Sequence, residues 1–371
     1  MKKIYTLVFL LSITMGFAQI PTGYYNTATG TGYTLKSQLK KIIDNVNDGL
    51  ASEHLSTDQG YAGLYVTYTT SDVDHYYENN GTMLDMYTEN PTGTDNCEFT
   101  YGVNQDDGTG GTSECQKYNR EHIIPQSVFN SATPMYSDAH FVVPSDKYVN
   151  AQRGDFPFGR TSAPTNTYSN GSKRGPNLNS GYSAGYSGTI FEPINEFKGD
   201  IARMILYFAT RYEDQVAGWS YTMFNGTSNQ VLTNTHLEIL KQWHILDPVS
   251  QREIDRNNAV YARQNNRNPY IDHPEWVAVI WGPTLATESF DTLANVSIYP
   301  NPTKDNRINI TSEKELVEIQ LINVNGQVIK NIKNPNGIQN TYTLDNLTQG
   351  FYFIKLSSAD NQTTTKKIIV N

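Results

Sequence analysis

The sequence predicts an α+β protein, with a mainly helical first domain that contains a small sheet, followed by a small C-terminal antiparallel β-sandwich. Amphipathic helical patterns occupy residues 35–50, 197–212, 237–243 and 251–261. After residue 295, apolar and polar residues alternate in short runs separated by Asn, Gly and Asp, which is typical of antiparallel strands. The change of composition between the two patterns marks a domain boundary.

The N-terminus has the pattern of a secretory signal peptide. Two lysines follow Met1, an apolar run extends from Leu7 to Phe17, and the small residue Ala18 stands where cleavage is expected. No later apolar run approaches the ~20 residues that a membrane-spanning helix needs. We therefore expect residues 1–18 to be removed and the mature protein to be exported as a monomer without a membrane span.

Three further segments complete the expected organisation: a first domain over residues 19–283, a weakly structured linker over 284–294 and a β-sandwich over 295–371. The first of these is long enough to bury a substantial core. The sandwich is expected to begin at Val296 and to contain an Asn-Gly turn at Gly326.

The chain contains two cysteines, Cys97 and Cys115. Because exported proteins reach an oxidising compartment, these residues are expected to form a disulfide, with two unrelated thiols as the alternative. The bond would close a short loop just before Glu121, which stabilises the fold by roughly 3 kcal/mol when the entropy of the unfolded chain is considered.

The segment from Tyr118 to Arg153 holds the groups with the most informative chemistry. A carboxylate and an amide oxygen suit a hard cation such as Mg²⁺, which keeps most of its waters and accepts one or two protein ligands. Glu121 and Asn150 are therefore candidate metal ligands. A histidine beside a metal ligand can stay neutral and accept a proton from water, so His122 is the candidate general base. Together they are the groups that a one-metal phosphodiesterase needs.

The local pattern predicts strand, strand and helix in this segment. Residues 121–124 are rich in β-branched side chains and are stopped by Pro125, and residues 140–143 form a second short apolar run. Ser145 stands where a helix N-cap is expected, and residues 147–153 can form a helix before a glycine ends it. On such a helix the asparagine and arginine of the motif share one face.

These residues resemble the bacterial extracellular endonuclease I family, whose active site is a ββα-metal, or His-Me, finger. Residues 197–203 and 264–274 also resemble later blocks of that family, so the resemblance extends over roughly residues 20–280. It implies that Glu121 and Asn150 bind Mg²⁺, for which Mn²⁺ or Ca²⁺ could substitute. It also implies that His122 is the general base.

In some members of that family an arginine in the loop between the two active-site segments holds the scissile phosphate. The corresponding residues 130–137 contain no arginine here, so basic residues elsewhere are candidates for this contact. Arg153 is assigned a catalytic role at the phosphate, and two other basic residues are alternatives for binding it: Arg120 and Lys147. Asp138 and His140 are expected to orient or pack against the residues that bind the metal, without binding it themselves. A direct catalytic role for His140 is the alternative.

The C-terminal part resembles the sorting domain of the type IX secretion system of Bacteroidota. The resemblance lies in the Tyr-Pro-Asn-Pro segment at residues 299–302, the Asn-Gly turn and the strand that begins with Gly350. It implies recognition by that secretion machinery and passage through the periplasm to the cell surface or the medium. The sorting domain is usually removed afterwards. The alternative is a generic adhesion or binding sandwich.

Charge and motifs limit the competing functions. The net charge of −9 is not that of a strongly basic nucleic-acid-binding protein, so a nuclease of this composition needs a local basic groove. A zinc protease is disfavoured because Tyr118 stands where the inverted zinc motif requires histidine. A surface adhesion or glycan-binding protein without catalytic activity is the remaining alternative. The sequence thus predicts a secreted, Mg²⁺-dependent, nonspecific endonuclease that hydrolyses DNA and also RNA to 5′-phosphates.

Overall fold

The structure is a computed structural model that describes residues 20–50, 53–282, 296–323, 328–338, 340–359 and 363–371. The chain forms two compact units that divide between Thr284 and Leu285. The expected signal peptide, the linker and the Asn-Gly turn at Gly326 lie outside the described residues.

The helices of the first unit surround a large apolar core. They are α1 (Gly32–Ile43), α2 (Gly60–Ser71), α3 (Lys147–Arg153), α4 (Lys198–Arg211), α5 (Asn234–Leu246), α6 (Gln251–Gln264), α7 (Pro269–Asp272) and α8 (Trp276–Trp281). The last three helical patterns of the sequence correspond to α4, α5 and α6. Helix α1 ends before the predicted Leu50, because Asp44 accepts a hydrogen bond from the backbone N–H of Val46 in an Asn- and Asp-rich turn.

Helix α2 has no clear counterpart among the predicted elements. Its sequence contains two glycines and several β-branched residues, which disfavour a helix locally. Tertiary packing stabilises it instead, since Leu64, Tyr65 and Tyr68 are buried in the core. The Tyr68 hydroxyl also donates a hydrogen bond of 3.2 Å to the carbonyl of Val142. Helix α2 therefore packs directly behind the strand that carries Val142.

Two small antiparallel sheets complete the first unit. Strand β1 (Tyr118–His122) pairs with β2 (Val142–Asp146), and β3 (Asn166–Thr167), β4 (Lys173–Pro176) and β5 (Thr189–Glu192) form the second sheet. The α+β class is confirmed. The expectation of a mainly helical domain is not, because helix accounts for 30% and strand for 21% of the structure, and much of the first unit consists of loops and turns.

The second unit contains two antiparallel sheets that share one apolar core. The strands are β6 (Ser297–Tyr299), β7 (Ile308–Thr311), β8 (Leu316–Asn323), β9 (Val328–Lys333), β10 (Thr341–Leu344), β11 (Gly350–Ser358) and β12 (Thr363–Val370). In β11, Tyr352, Ile354 and Leu356 are buried while the residues between them are more exposed. This period of two is the alternation that predicted strands here.

The predicted disulfide between Cys97 and Cys115 is present. Both cysteines precede β1, Cys115 by three residues, and the bond closes a loop of 18 residues in sequence separation. The described helices reach at most 14 residues, and none of them is both long and apolar enough to cross a bilayer.

Candidate active site: a polar cleft on a strand, strand and helix unit

Strands β1 and β2 and helix α3 form one continuous ββα unit. In the β1–β2 pair, Glu121 lies opposite Val143 and His122 opposite Val142. Helix α3 follows β2 directly and occupies the residues predicted for it. Its N-cap is Asp146 rather than Ser145, because the Asp146 carboxylate accepts the backbone N–H groups of the second and third helical residues at 2.8 and 3.0 Å. Strand β2 therefore ends at Asp146, three residues further than predicted.

A cleft of about 210 Å³ opens between the end of β1 and helix α3. Five of the predicted site residues line this cleft: Arg120, Glu121, His122, Asn150 and Arg153. Three others do not, namely Asp138, His140 and Lys147. The cleft residues on β1 and those on α3 are about thirty positions apart in the sequence. The β1–β2 hairpin brings them together.

His122 is buried, and one of its ring nitrogens is fixed by the backbone. Nε2 lies 3.2 Å from the carbonyl oxygen of Tyr136. A carbonyl can only accept, so Nε2 carries the proton in the neutral ring and Nδ1 carries the free electron pair. Burial lowers the pKa of His122 to about 4, and Arg120 and Arg153 nearby act in the same direction. The ring is therefore neutral at pH 7 and can accept a proton at Nδ1.

Glu121 is a buried carboxylate held by two partners. The hydroxyl of Tyr87 donates to Glu121 Oε1 at 2.8 Å, and Arg153 Nη1 lies 3.1 Å from the same oxygen. Burial raises the pKa of Glu121 to about 7, while Arg153 and Tyr87 oppose this rise. Both side-chain contacts use Oε1, and neither of them involves Oε2.

The guanidinium of Arg153 binds groups of the protein itself. Nη1 donates to the carbonyl of His122 at 2.9 Å, Nη2 donates to the carbonyl of Ile123 at 2.7 Å, and Nη1 also contacts Glu121. The side chain is 1% exposed and lies over the ring of Phe158. These contacts fix the end of β1 and the direction of the Glu121 carboxylate.

The side-chain amide of Asn150 is oriented by β1. Its Nδ2 donates to Asn119 Oδ1 at 2.9 Å and to the carbonyl of Arg120 at 3.3 Å. Both contacts use the donor end, and Oδ1 accepts no hydrogen bond within the described part of the chain. Asn150 lines the cleft, and Oδ1 is the end of its amide that these hydrogen bonds leave free. It can act as a neutral ligand beside the carboxylate of Glu121.

The two remaining basic candidates differ in position. Arg120 lines the cleft, stacks on the ring of Tyr61 with 3.4 Å from its guanidinium carbon to the ring centroid, and donates through Nη1 to the Tyr61 carbonyl. Its Nη2 has no hydrogen-bond partner among the residues that the structure describes. Lys147 lies outside the cleft, where it forms an ion pair of 2.8 Å with Asp106.

Asp138 and His140 belong to a buried polar network on the far side of β2. Asp138 accepts hydrogen bonds from the side chains of Arg211, Gln264 and two tyrosines, Tyr207 and Tyr212. His140 Nε2 lies 2.9 Å from the carbonyl of Asn266, and burial lowers its pKa to about 4. This network ties the loop before β2 to helices α4 and α6.

Several residues that organise the cleft were not predicted from the sequence. Tyr87 contacts Glu121, Tyr136 fixes the His122 tautomer through its carbonyl, and Asn119 orients Asn150. Tyr87 lies 34 residues before Glu121, and nothing in the local pattern connects the two. The one available signal was Asn119, because it alternates with Glu121 along the strand and so faces the same side of the sheet.

Comparison with known proteins finds a matching family for each of the two units. The family described as Endonuclease I matches residues 31–275, and the one described as secretion system C-terminal sorting domain matches residues 297–371. The extracellular ribonuclease of Bacillus amyloliquefaciens is 32% identical over 263 residues, covering 70% of the chain and 78% of that protein. That of Bacillus subtilis (strain 168) is 33% identical over 264 residues with the same coverage. The ulvan lyase NLR42 of Nonlabens ulvanivorans is 28% identical over 163 residues, which cover 39% of the chain and 29% of that protein.

The fold, the cleft and these matches define a secreted or cell-surface nuclease. The chain belongs to the endonuclease I family and carries a C-terminal secretion sorting domain. Of the alternatives left open by the sequence, membership in this family favours the nuclease over the adhesion protein and the zinc protease.

Proposed function

We propose that the protein is a Mg²⁺-dependent endonuclease of the His-Me finger type that hydrolyses phosphodiester bonds in DNA and RNA without strong sequence preference. The observation that carries the proposal is the convergence of three groups on one small cleft: the Glu121 carboxylate, the Asn150 amide oxygen and the unprotonated Nδ1 of His122. One carboxylate and one neutral oxygen fit Mg²⁺, which retains most of its waters. Mn²⁺ or Ca²⁺ could substitute there.

His122 acts as the general base in this proposal. Its Nδ1 accepts a proton from a water molecule that attacks phosphorus in line with the leaving 3′-oxygen, so the product carries a 5′-phosphate. The contact between Nε2 and the Tyr136 carbonyl holds the ring in the tautomer that this step requires. A Mg²⁺ ion on Glu121 and Asn150, when bound, neutralises the negative charge that develops on the phosphate and the leaving oxygen.

The two arginines of the cleft have separate roles in the proposal. Arg153 is a positioning residue, because both of its Nη groups already bind backbone carbonyls or Glu121. Arg120 is the better candidate for contact with a phosphate oxygen, since Nη2 is free to donate and Tyr61 fixes the rest of the guanidinium. Lys147 is assigned no contact with the reacting phosphate.

The substrate follows from the chemistry of the attacking group. Water attacks phosphorus, so the reaction needs no 2′-hydroxyl and applies to DNA as well as RNA. The relatives from Bacillus are named as ribonucleases, which supports RNA as a substrate. Nicking of a supercoiled plasmid and cleavage of a single-stranded RNA, each with Mg²⁺ and with EDTA, test the proposal. It requires that EDTA abolish both activities.

Removing either proposed metal ligand should weaken metal binding. Glu121→Ala and Asn150→Ala each delete one of two protein ligands, so we expect the Mg²⁺ concentration for half-maximal plasmid nicking to rise by at least about tenfold. Titrating the nicking rate with Mg²⁺ measures this shift.

The matched control is Glu98→Gln, which removes an exposed carboxylate outside the cleft and should leave the titration unchanged. If both ligand variants also had the midpoint of the intact protein, the assignment of Glu121 and Asn150 would be wrong.

The C-terminal unit should direct secretion and take no part in catalysis. Every residue that we assign to the cleft lies before the division at Thr284. A chain truncated after Thr284 is therefore expected to nick plasmid at the full rate but to remain in the periplasm of a host with the matching secretion system. Cell fractionation and a nicking assay measure the two outcomes.

Residues 295–371 fused to an inert exported reporter are the complementary test, and they should carry the reporter to the surface or the medium. A truncated chain that is folded yet inactive would contradict the prediction that the C-terminal unit takes no part in catalysis.

A further inference from the structure

A second group of carboxylates lies outside the cleft, in the segment that connects α2 to β1. Glu78, Glu89 and Asp95 each place a side-chain oxygen within 4.8 Å of the others. Neither the nuclease mechanism nor any contact with a basic side chain accounts for them, since none of the three forms an ion pair within the described residues. Asp74 also adds negative charge to the group.

The centre of the group is buried rather than exposed. Glu89 is 2% exposed, and its Oε1 has no hydrogen-bond partner. Glu78 Oε2 is likewise buried without a partner. Leaving two such oxygens unpaired is costly, because buried carboxylate oxygens otherwise accept hydrogen bonds or bind cations. Both residues belong to the group of three, where a cation would supply the missing partner.

The group also brings several like charges close together. Burial raises the pKa of Glu89 well above its usual range, and the charges of Asp95, Glu78 and Asp74 add to this effect. Burial likewise raises the pKa of Asp95. Carboxylates crowded in this way repel one another unless a proton, as in a hydrogen bond between Glu89 and Asp95, or a cation is held between them.

We propose that Glu78, Glu89 and Asp95 form a second, structural cation site of the Ca²⁺ type. Ca²⁺ takes six to eight oxygen ligands at 2.3–2.6 Å, so opposite ligands of one ion lie about 4.6–5.2 Å apart. The three oxygens lie within 4.8 Å of one another, which is no further apart than the most distant ligands of one such ion. Three carboxylates exceed the one or two that Mg²⁺ ordinarily accepts, and this number favours the larger ion.

The position of the site gives it a role in the cleft. Glu89 and Asp95 are the two ends of a loop, with Tyr87 just before it and Cys97 just after it. Tyr87 holds Glu121, and the nearby Asp85 accepts the backbone N–H of Asp146 at the start of α3. A cation that joins the ends of this loop would fix the segment that supports both β1 and α3.

Thermal unfolding of the full chain tests the site without recourse to activity. All four tryptophans lie in the first unit, so their fluorescence follows that unit alone. We expect about 10 mM Ca²⁺ to raise the midpoint of unfolding by roughly 5–10 °C over EDTA, as for a ligand present at about one hundred times its Kd. The same concentration of Mg²⁺ should have a smaller effect.

Three variants locate the effect. Glu89→Gln should abolish the Ca²⁺ shift, and in EDTA it should be at least as stable as the intact protein because it removes repulsion. The matched control Glu98→Gln, at an exposed carboxylate nearby, should keep the shift. Glu121→Ala should also keep it, since the nuclease cleft is a separate place. A shift that persists in Glu89→Gln, is lost in Glu121→Ala, or is absent from the intact protein would overturn the proposal.

A direct binding measurement covers the case in which Glu89→Gln does not fold. Tyr77 precedes Glu78, so a Tb³⁺ ion at the site should luminesce when tyrosine is excited and should be displaced by Ca²⁺. We expect this signal in Glu121→Ala and its loss in Asp95→Asn. No Ca²⁺-displaceable signal in folded Glu121→Ala would rule the site out.

Discussion

Replacing His122 with alanine is expected to lower the rate of plasmid nicking by a factor of about 10² to 10⁴ at saturating Mg²⁺, the contribution of a positioned general base. The physical reason is the fixed tautomer: Nε2 faces the Tyr136 carbonyl, so Nδ1 is the basic nitrogen that the cleft offers to water. The initial rate of conversion of supercoiled to nicked plasmid measures the loss.

Two further observations separate loss of a base from loss of structure. The Mg²⁺ titration of His122→Ala should keep its midpoint, since the ligands remain, and added imidazole should restore part of the rate. His75→Ala is the matched control, because His75 is an exposed histidine outside the cleft. A rate for His122→Ala within about threefold of the intact protein would exclude it as the base.

The largest effect on stability is expected at Asp138. This carboxylate is 1% exposed and accepts hydrogen bonds from Arg211, Gln264, Tyr207 and Tyr212. Asp138→Ala leaves the buried Arg211 guanidinium without its partner. Removal of one member of a buried ion pair costs about 3–5 kcal/mol. Urea unfolding followed by tryptophan fluorescence should show this decrease in the free energy of unfolding.

The pH dependence of that contribution has a definite sign. Burial alone would raise the pKa of Asp138, but Arg211 and the hydrogen bonds outweigh it and hold the pKa below its usual value. The folded-state pKa thus lies below the unfolded one of about 3.9. The stabilisation is complete above the unfolded pKa and is lost as the pH falls through the folded one. The exposed Asp107→Ala removes only surface contacts and should lower the free energy of unfolding by much less than Asp138→Ala does. Equal stability of Asp138→Ala and this control would contradict the prediction.

Local patterns predicted the ββα unit because its signals lie close together in the sequence. Helix α3 occupies the predicted residues, since a polar N-cap and Gly154 bound it on either side. The N-cap itself was misplaced by one residue, because Ser145 and Asp146 are both good caps and only the β2 register decides between them. Glu121, His122 and Asn150 were brought together by the hairpin that this unit implies.

Other features depend on contacts between distant parts of the chain. Helix α2 is stabilised by burial of Leu64 and Tyr68 rather than by its own propensity. The contact of Tyr87 with Glu121 and the partners of Asp138 on α4 and α6 connect residues that are 34 to 126 positions apart. The hydrogen bonds of Arg153 to backbone carbonyls also depend on tertiary packing, because they form only when α3 packs against β1.

The contacts of Arg153 within the protein have a consequence for the order in which the metal ion and the nucleic acid bind. Its positive charge is cancelled by Glu121 at 3.1 Å, and the Asn150 amide and the neutral His122 contribute none. On a protein with a net charge of −9, this leaves the cleft with little attraction for a polyanion beyond Arg120. Under the proposed function, the divalent ion is then the main source of positive charge at the cleft. Nucleic acid should therefore bind productively after the metal, and its affinity should depend on metal loading.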